Sequence, residues 1–254
     1  MAKNLIFCFT GTGNSLKAAK DISAVLGDTE IVLMKGEYRF SGKYERIGFV
    51  FPSYANGMPK AALKFVKSLD IRPDSADYVF AIVTCGGSGI GICLTMLQSA
   101  LTPKGIPLHY GKALKMVGNY IAMYDIKANI MEALQSADEE LAVYAGEIKD
   151  KIKVGIGKAK LSAKLYYTLG NKYFKVKAKK LAVSDSCISC GKCEKLCPTG
   201  SITIKNGKPM FAWKTCAQCM ACVQWCPHEA INCGKETETR KRYHHPDIQM
   251  KELL

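Results

Sequence analysis

The C-terminal part of the chain carries one cysteine pattern twice, as CISCGKCEKLCP at residues 187–198 and as CAQCMACVQWCP at residues 216–227. In both copies the spacing is C-x2-C-x2-C-x3-C, and a proline follows the last cysteine. Three thiolates two residues apart can wrap one face of an iron–sulfur cubane from a single tight loop, and the fourth lies just beyond that loop. The pattern therefore predicts two [4Fe–4S] clusters.

This repeated pattern resembles the run of bacterial two-cluster ferredoxins, in which the fourth cysteine of each run binds the other cluster. The resemblance implies a small α+β bacterial-type 2[4Fe–4S] ferredoxin domain with crossed ligation. The first cluster would be held by Cys187, Cys190, Cys193 and Cys226, and the second by Cys197, Cys216, Cys219 and Cys222. Such crossing would tie the two halves together and keep the clusters close enough to exchange electrons.

Two other uses of these cysteines fit the sequence poorly. A disulfide framework needs an oxidising compartment, and the apolar run at residues 4–9 is too short and wrongly flanked for a signal peptide or a membrane helix. The cysteine spacing is also too crowded for the usual zinc site. We therefore expect a cytoplasmic protein. Four isolated cysteines are interpreted as small buried hydrophobic side chains: Cys8, Cys85, Cys93 and Cys233.

Residues 1–148 are predicted to form a separate domain in which strands alternate with helices. Apolar runs predict strands at residues 4–9, 30–34, 46–51, 78–84 and, more weakly, 108–117. Helical patterns cover residues 15–26, 59–69 and 90–101, with Pro59 as a first helical residue, and a long helix begins near residue 126. Such alternation is typical of parallel βαβ units covered on both faces. The sequence therefore predicts a doubly wound α/β domain with a five-stranded parallel sheet.

Three loops leave the carboxyl ends of consecutive predicted strands, where ligands bind in such sheets. The first loop could cradle a phosphate, because its glycines allow close approach and its hydroxyls and helix-start N–H groups can donate hydrogen bonds. It is neither a Walker loop nor a good dinucleotide fingerprint, since Leu16 stands at the third glycine position. This loop consists of Thr10, Gly11, Thr12, Gly13, Asn14 and Ser15.

The other two loops would enclose a planar group. One offers an aromatic ring beside small residues and consists of Pro52, Ser53, Tyr54, Ala55, Asn56 and Gly57. The other supplies backbone donors with little side-chain bulk and consists of Thr84, Cys85, Gly86, Gly87, Ser88 and Gly89. Together the three loops predict a pocket for a planar, phosphorylated cofactor.

The first loop, Thr-x-Thr-Gly-x-Ser directly after a strand, resembles the phosphate loop of flavodoxins, and the later loops fall where flavodoxins flank the isoalloxazine ring. The resemblance implies a flavodoxin-like fold that binds FMN, with the phosphate on residues 10–15 and Tyr54 stacked on the ring. The third loop lacks the second aromatic ring of many flavodoxins, so Tyr120 or Tyr124 would supply it, or one flavin face is open to a reaction partner. With a flavodoxin first and a ferredoxin last, the chain is similar to bacterial and archaeal flavodoxin–ferredoxin fusion proteins.

A basic, partly helical linker at residues 149–180 is predicted to join this domain to a ferredoxin domain at residues 181–236, which a tail at residues 237–254 follows. The linker has 11 lysines and one acidic residue, whereas residues 1–148 have 15 basic and 14 acidic residues. Its apolar residues recur three or four apart, as on an amphipathic helix, and Gly155, Gly157 and Gly170 are expected to break it. We interpret it as a solvated helical linker; docking of an acidic redox partner protein and peripheral contact with an anionic membrane are alternatives. No nucleic-acid-binding signature accompanies the charge.

These features predict a redox protein that moves electrons between FMN and two [4Fe–4S] clusters, and so couples one- and two-electron carriers in anaerobic metabolism. One alternative is a flavin-dependent reductase of a small-molecule acceptor, with Tyr54, Tyr120, Tyr124 or Asp125 as the acid or base. Another is an iron–sulfur redox sensor, although the sequence shows no recognisable output domain. The sequence leaves a homodimer open. We find no histidine pair with metal spacing and no catalytic triad.

Overall fold

Five parallel strands form the central sheet of the N-terminal domain in the computed structural model, which describes residues 2–40, 42–87, 89–157 and 161–254. The strands are β1 (Asn4–Cys8), β2 (Thr29–Leu33), β3 (Tyr44–Pro52), β4 (Ala76–Cys85) and β5 (Tyr110–Lys115). Their order across the sheet is β2-β1-β3-β4-β5, which is the flavodoxin-like order. The direction of winding changes between β1 and β3, so the carboxyl ends of these two strands mark the ligand-binding edge. The predicted doubly wound fold is confirmed.

Helices cover both faces of this sheet. Helices α1 (Asn14–Leu26) and α4 (Ile130–Lys149) pack on one face, and α2 (Lys60–Ser68) and α3 (Cys93–Leu101) pack on the other. Because side chains alternate along a strand, Ile6 and Cys8 of β1 enter the first core and Leu5 and Phe7 enter the second. This two-sided burial explains why the strands read as continuous apolar runs in the sequence.

Two boundaries differ from the sequence prediction. Helix α4 begins at Ile130 and not near residue 126, because Ile121 and Ala122 of the preceding loop are buried against the C-terminal domain and hold that loop outside the helix. Pro59 precedes the first helical residue of α2 as its N-cap instead of being that residue.

The predicted linker contains one continuous helix, α5 (Leu161–Ala178), with 18 residues. Gly170 lies inside this helix, so the prediction that it breaks the helix is wrong. Gly155 and Gly157 do lie in irregular chain, between α4 and α5. A glycine costs a helix about 1 kcal/mol relative to alanine, and contacts of α5 with the N-terminal domain, described below, offset that cost.

The C-terminal domain is built from two short antiparallel strand pairs and two short helices. Strand β6 (Leu181–Val183) pairs with β9 (Ile231–Cys233), and β7 (Ile202–Lys205) pairs with β8 (Lys208–Phe211). Helices α6 (Lys192–Leu196) and α7 (Ala221–Gln224) each lie within one cysteine run. Short 3₁₀ turns occur at Thr102–Lys104, Lys235–Thr237 and Met250–Leu253.

The two domains share one hydrophobic core. Leu196 and Trp225 of the cysteine runs and Tyr243 of the tail are buried in the cluster formed by α1 and α4. Met220 and Val223 pack in turn on Ile121 of the loop after β5. The domains are therefore packed together directly, and the tail is part of the contact. Within the described ranges, no helix is long and apolar enough to cross a membrane.

Candidate cofactor sites

A cavity of about 560 Å³ opens at the carboxyl ends of β1, β3 and β4, where the strand order predicts a ligand. Its volume lies in the range of small-molecule and cofactor pockets, roughly 300–1,000 Å³. The structure brings 15 of the predicted flavin-site residues to its wall: Thr10, Gly11, Thr12, Asn14, Ser15, Pro52, Ser53, Tyr54, Ala55, Asn56, Thr84, Cys85, Gly86, Gly89 and Tyr120.

Four predicted residues are not placed at the wall. Gly13 lies under the loop with φ 99°, and its N–H donates to Thr10 Oγ1 over 3.1 Å. A Cβ on Gly57 would overlap the ring of Tyr167, so this glycine serves packing of α5. Gly87 does not line the cavity, and Ser88 lies outside the described residues.

The first loop keeps several hydrogen-bond donors for an anion. Thr10 Oγ1 accepts from Gly13, and Thr12 Oγ1 accepts from the Asn119 amide, so both hydroxyls retain their own O–H for donation. The first N–H groups of α1 have no partner within the helix and add to these donors. Ser15 differs from the prediction in part: it is buried and shares a 2.8 Å hydrogen bond with Thr84, which ties the first loop to the third.

The second loop makes a tight turn in an uncommon conformation. Tyr54 and Gly57 exchange backbone hydrogen bonds of 2.9 and 3.0 Å, and the two residues between them have positive φ, 49° at Ala55 and 60° at Asn56. Positive φ at both central residues is typical of a type I′ turn and costs about 1–2 kcal/mol for a residue such as alanine. The turn holds Ala55 and Asn56 at the cavity wall.

Helix α5 forms a further wall that the sequence did not reveal. Tyr167 of α5 donates a hydrogen bond of 3.0 Å to the Met58 carbonyl, and Gly170 lies directly on Ala55, where a Cβ would come closer than real carbon atoms approach. The side chains that α5 adds to the cavity are Tyr166, Leu169, Tyr173 and Phe174. The only sequence signal for this wall was the helical spacing of apolar residues in the linker.

Aromatic rings concentrate where α5 meets the loops. The Phe174 ring lies 6.2 Å from the Tyr54 ring at 82° and 5.0 Å from the Tyr120 ring at 60°, so Tyr54 contacts it edge-on. Burial raises the pKa of Tyr54 well above its usual value, and the neighbouring Cys219 and Cys216 raise it further. Burial likewise raises the pKa of Tyr120. Both phenols are therefore neutral hydrogen-bond donors near neutral pH.

The eight cysteines of the two runs surround two further cavities in crossed groups. One cavity is lined by Cys187, Cys190, Cys193 and Cys226, with Cys222 also touching it. The other is lined by Cys197, Cys216, Cys219 and Cys222. The fourth cysteine of each run thus lies with the first three of the other run, which is the grouping that crossed ligation requires. Among the described residues, no three His, Cys, Asp or Glu side chains are close enough to hold a single metal ion.

The surroundings of these cavities fit negatively charged clusters. The side chain of Arg242 is largely buried near Cys226 and Cys222. Its Nε lies 3.8 Å from the carboxylate of Glu229, and Nε and Nη1 have no hydrogen-bond partner. Backbone N–H groups also point at the sulfur atoms: Ser201 donates to Cys197 Sγ over 3.2 Å, and Gln218 donates to Cys216 Sγ over 3.4 Å. Such N–H···S bonds and nearby charge are what adjusts the reduction potential of iron–sulfur clusters.

One cysteine joins the two kinds of site. Cys219 lines the second cysteine cavity and also the strand-end cavity. A Cβ on Gly11 would overlap the Cys219 backbone, so the absence of a side chain at Gly11 permits this approach. Trp225 Nε1 fixes the contact by donating to the Gly11 carbonyl over 3.0 Å. No spacing pattern in the sequence indicated which cysteine would face the first loop.

The isolated cysteines and the candidate acid or base Asp125 lie mostly outside the strand-end cavity. Cys8, Cys93 and Cys233 are buried as predicted, whereas Cys85 is only partly buried and lines the cavity. Asp125 is 77% exposed, pairs with Arg240 over 3.0 Å and does not line the cavity, so the structure does not support it as an acid or base there.

Comparison with known proteins identifies the cysteine-rich segment. Residues 186–231 match the family of 4Fe–4S dicluster domains. A ferredoxin of Pyrobaculum islandicum is 40% identical over 53 residues, which are 20% of this chain and 50% of that protein. One component of an ion-translocating oxidoreductase complex of Methanosarcina acetivorans is 44% identical over 45 residues, 18% of this chain and 17% of that protein. The chain thus spans about half the length of the first of these relatives and less of the second.

Solved structures that resemble the chain overlap it only loosely. A flavoprotein in complex with FMN from Lactobacillus acidophilus has a TM-score of 0.35 and 13% identity, over 44% of this chain and 93% of that chain. A flavodoxin of Streptococcus pneumoniae TIGR4 has a TM-score of 0.35 and 13% identity, over 56% of this chain and 97% of its own. The strand order of the sheet, and not these scores, identifies the fold of residues 4–149.

Proposed function

Because the chain joins a flavodoxin-like domain to a 4Fe–4S dicluster ferredoxin domain, we propose that it transfers electrons between FMN in the strand-end cavity and two [4Fe–4S] clusters. The observation that carries this proposal is the position of Cys219, which lines both the strand-end cavity and the second cysteine cavity. A cluster held by Cys219 would border the flavin directly, without a second protein between them.

The residues of the first loop would hold the phosphate of FMN. The hydroxyls of Thr10 and Thr12 and the first N–H groups of α1 supply donors at one end of the cavity. Tyr54, Tyr120 and the α5 residue Phe174 supply the apolar surface for the ring. The chain offers one phosphate loop and no dinucleotide fingerprint, which favours FMN over FAD.

The crossed cysteine groups would hold the clusters, the first by Cys187, Cys190, Cys193 and Cys226 and the second by Cys197, Cys216, Cys219 and Cys222. When bound, a flavin exchanges electrons in pairs or singly, whereas a [4Fe–4S] cluster exchanges one at a time. Desolvation raises the pKa of the partly buried thiols of Cys219 and Cys193 to about 12 and about 11, so both are protonated near neutral pH and would lose the proton on binding a metal.

The protein itself sets distance, access and electrostatics. Trp225 and Gly11 hold the second cysteine cavity against the first loop. Gln218 accepts a hydrogen bond of 2.8 Å from Tyr120 and donates its backbone N–H to Cys216 Sγ, so it joins the cavity wall to a cluster ligand. Electron donors and acceptors would be redox partner proteins that reach the exposed side of the clusters, where Cys190 is exposed.

The first test is cofactor content and intramolecular transfer. Anaerobically purified protein should contain about eight irons per chain and release FMN, not FAD, on denaturation. In single-turnover stopped flow, reduction through the clusters should reduce the flavin at a rate independent of protein concentration, because both are in one chain. A rate proportional to concentration would refute transfer within the molecule.

A second test separates the flavin from the clusters. Thr12→Asp places a carboxylate against the phosphate and should abolish flavin binding. The iron content should be unchanged, and this also shows that the variant is folded. Full flavin occupancy in Thr12→Asp would contradict the assigned phosphate site.

A further inference from the structure

A second large cavity, of about 660 Å³, lies on the other side of Tyr54 and Phe174 from the strand-end cavity. It is bounded by α2, α5, the loop after β2 and the two chain segments that carry Cys197 and Cys216. The described residues at its wall include five lysines and no aspartate or glutamate. We name this cavity the basic cleft; its lysines are Lys35, Lys60, Lys64, Lys175 and Lys214.

The charges of the basic cleft are not neutralised by the protein. Salt bridges elsewhere in the described residues use other lysines, and the ammonium groups of Lys60, Lys64 and Lys175 have no ion-pair partner. Lys214 only contacts the Trp213 ring, 5.6 Å away, and Lys35 donates to the Leu253 carbonyl. Like charges gathered around one concave surface create a positive potential that attracts anions.

The backbone adds to this potential. The first turn of α2 borders the cleft, and its N-cap residue, Pro59, provides no side-chain hydrogen bond to the free N–H groups. The positive end of a helix dipole therefore faces the same space as Lys60 and Lys64.

From this arrangement we propose that the basic cleft binds a small, multiply charged anion that carries phosphate or carboxylate groups. The cleft is concave and has the volume of a small-molecule site, whereas a protein partner needs a broad surface, about 800 Å² on each side. Lysine is a common ligand for phosphate and carboxylate oxygens, as a point charge that adapts to different anions.

An anion bound in the basic cleft would lie beside the second cysteine group and affect the reduction potential of its cluster. Cys197 and Cys216 line it, and both belong to the second cysteine group. Negative charge beside a cluster disfavours the addition of an electron. The anion should therefore lower the reduction potential of the second cluster and leave that of the first nearly unchanged. This consequence rests on the proposed function, whereas anion binding itself does not.

The test uses holoprotein with pyrophosphate and with citrate as separate probes, in isothermal titration calorimetry at low salt. Saturable binding of one of them is expected, and the probe that binds identifies the anion as phosphate-bearing or carboxylate-bearing. Lys60→Gln with Lys64→Gln should weaken binding at least about tenfold, since two charge-assisted contacts with the anion are lost. The matched control, Lys67→Gln with Lys153→Gln, removes the same charge from exposed positions outside the cleft and should leave binding unchanged.

EPR-monitored redox titration with and without the anion is the second measurement. A lower potential of one cluster only, absent in Lys60→Gln with Lys64→Gln, supports the full inference. An equal loss of binding in the control pair would mean diffuse surface charge and overturn the site. Binding of polyglutamate but of neither small anion would replace the inferred ligand by an acidic protein. If the anaerobically purified protein contains no iron and still binds the anion, the proposed clusters are refuted and the cleft is not.

Discussion

The contact between Gly170 and Ala55 allows a quantitative test of α5 as a wall of the flavin cavity. In Gly170→Ala, the new methyl group would lie inside the roughly 3.5–4.0 Å at which carbon atoms meet, so α5 or the second loop must move by about 1 Å. Overpacking of this kind costs about 1–3 kcal/mol. Alanine also favours a helix interior by about 1 kcal/mol, so the two effects oppose each other in this variant.

A second glycine in a helix separates these effects. Gly146 lies inside α4, is half-buried like Gly170, and has nothing within 4 Å of the position of a Cβ. Gly146→Ala should therefore gain the helix propensity alone. The difference in unfolding free energy between the two variants then measures the close contact, which we expect to be about 1–3 kcal/mol. At roughly 2–4 °C per kcal/mol for a chain of this size, thermal unfolding resolves it.

Flavin affinity is the decisive readout. Displacing α5 withdraws Leu169, Tyr173 and Phe174 from the cavity, so Gly170→Ala should raise the FMN dissociation constant by about tenfold for each 1.4 kcal/mol of lost contact. Gly146→Ala should leave that constant unchanged. If both variants are stabilised equally and bind FMN as the wild type does, α5 is not a wall of the site.

Three further predictions concern the clusters and the tail. Cys197→Ser should damage the cluster of Cys216, Cys219 and Cys222. The control Cys233→Ser changes a buried cysteine outside both groups and should leave both clusters intact. If EPR shows that Cys197→Ser loses the cluster of residues 187–193 instead, crossed ligation is disproved. Arg242→Gln should lower the reduction potential of the first cluster, by about 59 mV for each 1.4 kcal/mol of lost attraction, and exposed Lys241→Gln should not. Burial lowers the pKa of His245, so as the pH falls from about 6.5 toward that lower pKa, the unfolded chain binds this proton before the folded chain does and stability falls; His245→Asn should reduce that slope by at most about 1.4 kcal/mol per pH unit, and an unchanged slope would contradict the argument.

The local chemistry of both sites could be predicted from the sequence because it depends on residues close together in the chain. The cysteine spacing places three thiolates on one loop, and the Thr-Gly-rich segment after β1 places hydroxyls and N–H groups at a helix start. Alternating strands and helices likewise imply a doubly wound sheet, since the apolar runs require cover on both faces. Most residues of the three loops accordingly line the strand-end cavity.

The way in which distant segments meet depends on the folded structure and could not be predicted from the sequence. The docking of Cys219 on Gly11 joins residues more than 200 positions apart, and it depends on a missing side chain and on one Trp225 hydrogen bond. The same holds for α5, where contacts of Tyr167 and Gly170 with the second loop outweigh the helix-breaking tendency of glycine. The basic cleft collects lysines from four separate segments. Packing complementarity between remote surfaces sets such contacts, and no spacing along the chain records it.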